Sequence, residues 1–340
     1  MIYIRTDANI EVATGHIMRC VTIAERLEDI GESVCFLLCE EESKMFVDGK
    51  FDYIMLKTDF YDNEAEVREI LKIIKGQSKT KKILLDLYKF DASYMKQLGK
   101  SVKLITFDDM FSETFPVDLL INYNMYYSLY DYKTRYAGKK TKLLLGGSYV
   151  PLRKGFQFEK KNFVMKNTIM MLCGGGDKLH FLLELVKKYI GNTNVNKYNL
   201  IVVVGALNQD YEELKKIEEH YSQVKVLKNI SNMAEVMCNV DLVVSAAGTV
   251  LYESCSLRVP TIFFCIADNQ LMDAKFWNTE GLMVYAGDIR KSRNQVVENI
   301  FSAIEMLMKN DILREHMIER MKNTVDGMGA ERIAKEIAGL

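Results

Sequence analysis

Short apolar runs alternate with longer amphipathic stretches along the chain, and the alternation lapses once and then restarts. That pattern predicts parallel sheets flanked by helices, because a parallel strand is buried on both faces and needs a crossover before the next one. In the first half the strand candidates are Ile2–Arg5, Ser33–Cys39, Tyr53–Leu56, Ile83–Asp86, Lys103–Phe107 and Leu119–Asn122. After Gly15, the residues Ile17, Cys20, Val21, Ala24 and Leu27 recur at helical spacing, with Arg19, Thr22, Glu25 and Arg26 turned away from them. Around residues 141–160 the pattern fails, and Gly146-Gly147, Pro151, Gly155 and a charged stretch read as a domain junction. It then resumes with Thr168–Cys173, Leu200–Val204, Val224–Leu227, Leu242–Ser245, Thr261–Cys265 and Leu282–Tyr285, and closes with helices at roughly 292–309, 311–324 and 329–339. The expected architecture is α/β: a Rossmann-like domain over 1–150 and a second over 151–340, facing each other across a cleft, with the last helix packing back on the first.

The 340 residues agree with about two domains. Hydrophobic residues make up 49% and charged residues 27%, an ordinary globular balance. Forty-five basic residues against 46 acidic ones leave no excess to hold a polyanion, so a nucleic-acid partner is not expected. The longest apolar runs, Leu200–Leu207 and Val259–Ala267, fall well short of a bilayer span, and Arg5 and Asp7 interrupt the N-terminal stretch where a signal peptide would be apolar. Seven cysteines without a C-x-x-C pair read as reduced core thiols in a cytoplasmic protein, and a monomer is expected.

Four segments offer chemistry. The loop Thr6–Gly15 runs into His16 at the mouth of a strand-to-helix turn, where a doubly wound sheet presents its ligands. Gly15 there frees backbone N–H groups toward an anion, and the start of a helix favours the neutral imidazole that a general base needs. The alternative is that His16 only caps the helix. Cys173-Gly174-Gly175-Gly176-Asp177 follows an apolar strand but lacks the dinucleotide fingerprint, so it is a ligand loop or a tight turn. Ser245-Ala246-Ala247-Gly248-Thr249 lets a backbone approach a phosphate, and Glu253 follows one helical turn later, suited to ribose hydroxyls or to solvent. Asp268-Asn269-Gln270 ends another apolar run, as polar crevice residues or as a helix cap. Clustered Cys/His metal ligands and a G-x-S-x-G elbow are absent, so neither metal nor cofactor is expected.

Taken together and in order, these segments resemble the UDP-sugar hydrolases of pseudaminic acid biosynthesis, the PseG-like family that includes SpsG-type spore-coat proteins and is related to MurG-like glycosyltransferases. The resemblance rests on Arg5-x-Asp7-Ala8, Thr14–Arg19, Asp86-Leu87-Tyr88, Asp108-Asp109, Asp118–Asn122, Leu145-Gly146 and Leu152-Arg153 in the first half. In the second it rests on Gly174–Asp177, Ser245–Glu253, Ala267–Gln270 and Asp326–Ile333. It implies a GT-B fold and a metal-independent reaction in which water displaces UDP from the anomeric carbon with inversion. By the same resemblance His16 would activate water, with Asp7 orienting it, while Tyr88 and Asn269 would line the sugar site. Gly15, Arg19, Gly174, Gly175, Ala247, Gly248, Thr249, Glu253 and Gln270 would hold the UDP-sugar substrate. The family usually has glycine where Ala13 and Ala247 stand, and its L-R-x-E-F stretch reads Leu152-Arg153-Lys154-Gly155-Phe156 here, differences that bear on the sugar more than on the fold. A GT-B glycosyltransferase using a UDP-sugar, and a non-catalytic sugar-nucleotide binder, are the competing readings.

Overall fold

Ile2 and Ile4 enter one buried core and Tyr3 the core on the opposite face, the alternation expected of a strand covered on both sides. In the computed structural model, which describes residues 1–9, 14–75, 81–157, 166–174, 177–205, 208–228, 230 and 232–340, the chain divides into two units. The first comprises Met1–Arg153 with Met328–Leu340, and the second Lys154–Gly327.

In chain order the first unit contains β1 (Ile2–Arg5), α1 (Gly15–Asp29), β2 (Val34–Leu38), α2 (Lys44–Val47), β3 (Asp52–Met55), α3 (Asn63–Ile74) and β4 (Lys82–Leu85). These are followed by α4 (Ala92–Leu98), β5 (Lys103–Phe107), β6 (Leu119–Asn122), α5 (Tyr132–Arg135) and β7 (Lys142–Leu145). Its seven strands are all parallel, in the order β3-β2-β1-β4-β5-β6-β7. The direction of winding therefore reverses between β1 and β4, and the loops beyond their carboxyl ends diverge to opposite faces and leave a crevice. β7 corrects the expectation of an irregular junction from residue 141 onward. It is a four-residue edge strand whose Lys142 is exposed, too short to register as a periodic apolar run.

The second unit repeats the plan with β8 (Thr168–Leu172), α6 (Phe181–Gly191), β9 (Asn199–Val204), α7 (Tyr211–His220), β10 (Val224–Lys228), α8 (Met233–Met237) and β11 (Leu242–Ala246). It continues through α9 (Thr249–Ser256), β12 (Thr261–Cys265), α10 (Leu271–Thr279), β13 (Val284–Asp288), α11 (Arg293–Met308) and α12 (Asp311–Met321). The order is β10-β9-β8-β11-β12-β13, again all parallel, with the reversal between β8 and β11. The last strand begins two residues later than the apolar run Leu282–Tyr285 predicts. Leu282 and Met283 are buried ahead of it, and pairing starts at Val284 opposite Ile262, with a register shift farther along. The chain ends in α13 (Gly329–Ala338), part of the first unit. Its Ile333, Ala334 and Ile337 share a core with Ile17, Ala24 and Leu27 of α1. Gly329 begins that helix where any Cβ would overlap the Val150 backbone, so the close approach requires glycine.

All seven cysteines are free thiols, and five of them are buried. Among the described residues no helix is long and apolar enough to cross a membrane.

Candidate functional site

The crevice of the first unit holds a buried set of ionisable side chains. His16 is the second residue of α1, whose N-cap residue Thr14 makes no side-chain cap bond. Its imidazole is 9% exposed, and Nδ1 lies 2.7 Å from Oδ1 of Asp86, the residue just past β4. A carboxylate accepts only, so Nδ1 carries the hydrogen and Nε2 is left with its lone pair. Nε2 has no hydrogen-bond partner among the described residues. Asp86 is buried, which by itself would raise its pKa. Arg19 and His16 outweigh that and hold it well below the usual carboxylate range.

Arg19, one turn along α1, binds Asp86 through Nε at 2.6 Å and again through Nη2. Nη1 and Nη2 each reach Asp109 Oδ2 at 3.0 Å, and Nη1 also reaches the Tyr123 hydroxyl at 3.0 Å. Its guanidinium lies over the Phe107 ring, 4.1 Å from the centroid. Arg19 was expected to contact substrate; in this structure the five N–H donors of its guanidinium are all engaged inside the protein. Asp109 follows β5 and also accepts from Asn124 at 3.0 Å and from the Tyr88 hydroxyl at 3.3 Å. Tyr88 stands edge-on to His16, with ring centroids 4.6 Å apart, and is otherwise exposed. Burial and Asp109, against Arg19, push the Tyr123 hydroxyl up to about 12.

Asp7 requires a correction. It does not face His16. Its Oδ1 accepts from the Cys39 and Glu40 amides and from Ser43 Oγ at 2.9, 3.0 and 2.9 Å, and its Oδ2 pairs with Arg5. β1 carries it toward β2, so it ties down the loop beyond β2, while the neighbour on the other side of β1 supplies the histidine's partner.

In the second unit the corresponding loops are built from small residues. Gly174 adopts φ +71°, and Gly248, the N-cap residue of α9, adopts φ +148° with ψ −156°, a conformation reserved for glycine. A Cβ built at Gly15, Gly174 or Gly248 would meet no atom of the described residues within 4 Å. Ala247 is buried, Thr249 opens α9 from an exposed position, and Glu253 is buried one turn later. Gln270 braces this loop, donating from Nε2 to the Ala247 carbonyl at 2.7 Å and accepting at Oε1 from the Ile266 amide at 2.8 Å. Asp268-Asn269-Gln270 forms a 3-10 turn. The Asn269 side chain, Ala13 and Gly175 lie outside the described residues.

The residues that sequence reasoning left without roles are Asp86, Asp109, Tyr123 and Asn124. Each falls at or just beyond the carboxyl end of a predicted strand, and Asp86 and Asp109 also belong to the motifs that carry the family resemblance.

Two parallel doubly wound sheets of this order define a class, the GT-B proteins, and a solved example shares the fold throughout. Acinetobacter baumannii MurG covers 100% of this chain and 99% of its own with a TM-score of 0.67, at 12% identity. By sequence, the spore coat polysaccharide biosynthesis protein SpsG of Bacillus subtilis is 23% identical over 335 residues, 96% of this chain and 94% of that protein. The UDP-2,4-diacetamido-2,4,6-trideoxy-beta-L-altropyranose hydrolase of Campylobacter jejuni is 21% identical over 282 residues, 82% of this chain and 97% of that protein. Residues 165–326 match a family described as Protein of unknown function (DUF354). The chain is thus a distant relative of SpsG and of the altropyranose hydrolases, built on the GT-B fold.

Proposed function

We propose that this protein is a sugar-nucleotide hydrolase that releases UDP from a UDP-linked diacetamido-trideoxy sugar with inversion, without a metal. The observation that carries the reading is the His16–Asp86 pair at the sheet's reversal point, with Nε2 unpartnered among the described residues. The near full-length similarity to a hydrolase of that substrate supports it. In this reaction water attacks the anomeric carbon and gives its proton to His16 Nε2. The bond from that carbon to the diphosphate oxygen breaks, and its electron pair leaves with UDP. Asp86 keeps the imidazole in the right tautomer and stabilises the imidazolium that forms. The α9 N-terminus, with Gly248 and Thr249, would hold the diphosphate on backbone N–H groups, and Glu253 would bind the ribose.

The test is to incubate the protein with UDP-2,4-diacetamido-2,4,6-trideoxy-β-L-altropyranose in EDTA, without acceptor, and to follow UDP and free sugar by NMR. The expected result is release with inverted anomeric configuration, lowered about 10²–10⁴-fold in His16→Ala with UDP affinity kept. UDP binding without release would overturn hydrolysis in favour of transfer to an acceptor or simple binding.

A further inference from the structure

We infer that Asp109 is a positioning residue for His16, acting through Arg19 to leave the buried cluster with one uncompensated negative charge that a proton on His16 would neutralise. This deepens the hydrolase reading and rests on it only for the role of His16 as base.

Among the described residues, the groups that face the imidazole are Asp86 from the end of β4, Arg19 from α1 and the Tyr88 ring from the segment after β4. Around Asp86 and Arg19 lie Cys20, 3.4 Å from Asp86, and then Asp109 and Tyr123. Burial pushes the Cys20 thiol and the Tyr88 and Tyr123 hydroxyls upward, so all three are neutral at physiological pH. Asp108, adjacent to Asp109, is turned instead to the Tyr132 hydroxyl and the Phe111 amide. Among the described residues the cluster therefore holds two carboxylates, Asp86 and Asp109, against the single guanidinium of Arg19. These three side chains are 1%, 11% and 10% exposed, so solvent screens their charges poorly.

Arg19 Nη2 stands 3.2 Å from His16 Nδ1, and its positive charge opposes protonation of the ring. If Asp86 were the sole carboxylate, Arg19 would cancel it and the ring would gain little from its partner. Asp109 takes two of the five Arg19 donors and shares its charge, which restores the attraction of Asp86 for the imidazolium. The same carboxylate receives the Tyr88 hydroxyl, so the base and the exposed ring beside it are held by one network.

The experiment measures the titration of the His16 imidazole by NMR, assigned by its loss in His16→Ala. His180, paired with Asp210 at 2.7 Å in the second unit, serves as an internal control. Asp109→Asn is expected to lower the His16 midpoint by about one pH unit, with Asp109→Glu returning it toward the wild-type value and His180 unmoved. The acidic limb of the pH–rate profile should shift in the same direction. An Asp109→Asn protein that folds, binds UDP and titrates as wild type does would overturn the inference, as would an equal shift of His180. If wild-type protein releases no UDP yet the Asp109→Asn midpoint still moves, the hydrolase reading fails and the charge assignment stands.

Discussion

Two buried ionic clusters lie at the carboxyl ends of the first sheet's central strands, and among the described residues they differ by one charge. In the first, Arg5 grips Glu66 of α3 with Nε and Nη2 at 2.8 and 3.0 Å, Lys89 reaches the same carboxylate at 2.6 Å, and Arg5 also pairs with Asp7. Two cations meet two anions, and the Tyr94 hydroxyl adds a bond to Glu66 at 2.7 Å. In the second, among the described residues, Asp86 and Asp109 share Arg19 alone, and His16 completes the set. The backbone joins the two, since the Asp86 amide donates to the Arg5 carbonyl at 3.0 Å. A compensated cluster gains nothing from a proton and serves the fold. One that is a charge short attracts a proton, which is what a base requires.

This contrast fails if the first cluster governs the proton or the second only the fold. Arg5→Met leaves Glu66 and Asp7 short of a cation, and should cost about 3–5 kcal/mol in denaturant unfolding while leaving the His16 midpoint in place. A moved midpoint would merge the two clusters into one. Next in size is acid. Glu66 is desolvated, but Arg5 and Lys89 more than offset this and bring it down to about 2 from its ordinary 4.5. Because its folded pKa is depressed, its contribution of about 3 kcal/mol is complete above the ordinary value and is lost as pH falls from about 4.5 through about 2. Acid unfolding followed by circular dichroism should show that loss in wild type and not in Glu66→Gln. The smallest effect is that of Tyr94→Phe, which removes one bond to a charged acceptor. It should cost about 1.5–3 kcal/mol in thermal or chemical unfolding without altering the pH–rate profile.

The sites were legible to different degrees for physical reasons. His16 was visible because glycine followed by histidine at a strand-to-helix turn is a local pattern, and Gly248 because a tight turn before a helix asks for glycine within a few residues. Asp7 was taken as the histidine's partner on the family resemblance, yet β1 delivers it to the Cys39 loop. Arg19 was read as a substrate contact, and nothing along the chain announces its two carboxylate partners 67 and 90 residues away.

What the sequence determined alone is the repeated alternation of buried strand and amphipathic helix, hence two parallel α/β units, since periodicity is written in adjacent residues. Which carboxylate meets His16 was decided only by the order of strands in the sheet. β4 lies beside β1 and brings Asp86 to a histidine 70 residues earlier, while β2 on the other side takes Asp7. Charge compensation depends on distance in space, and the chain acquires those distances only when the sheet closes.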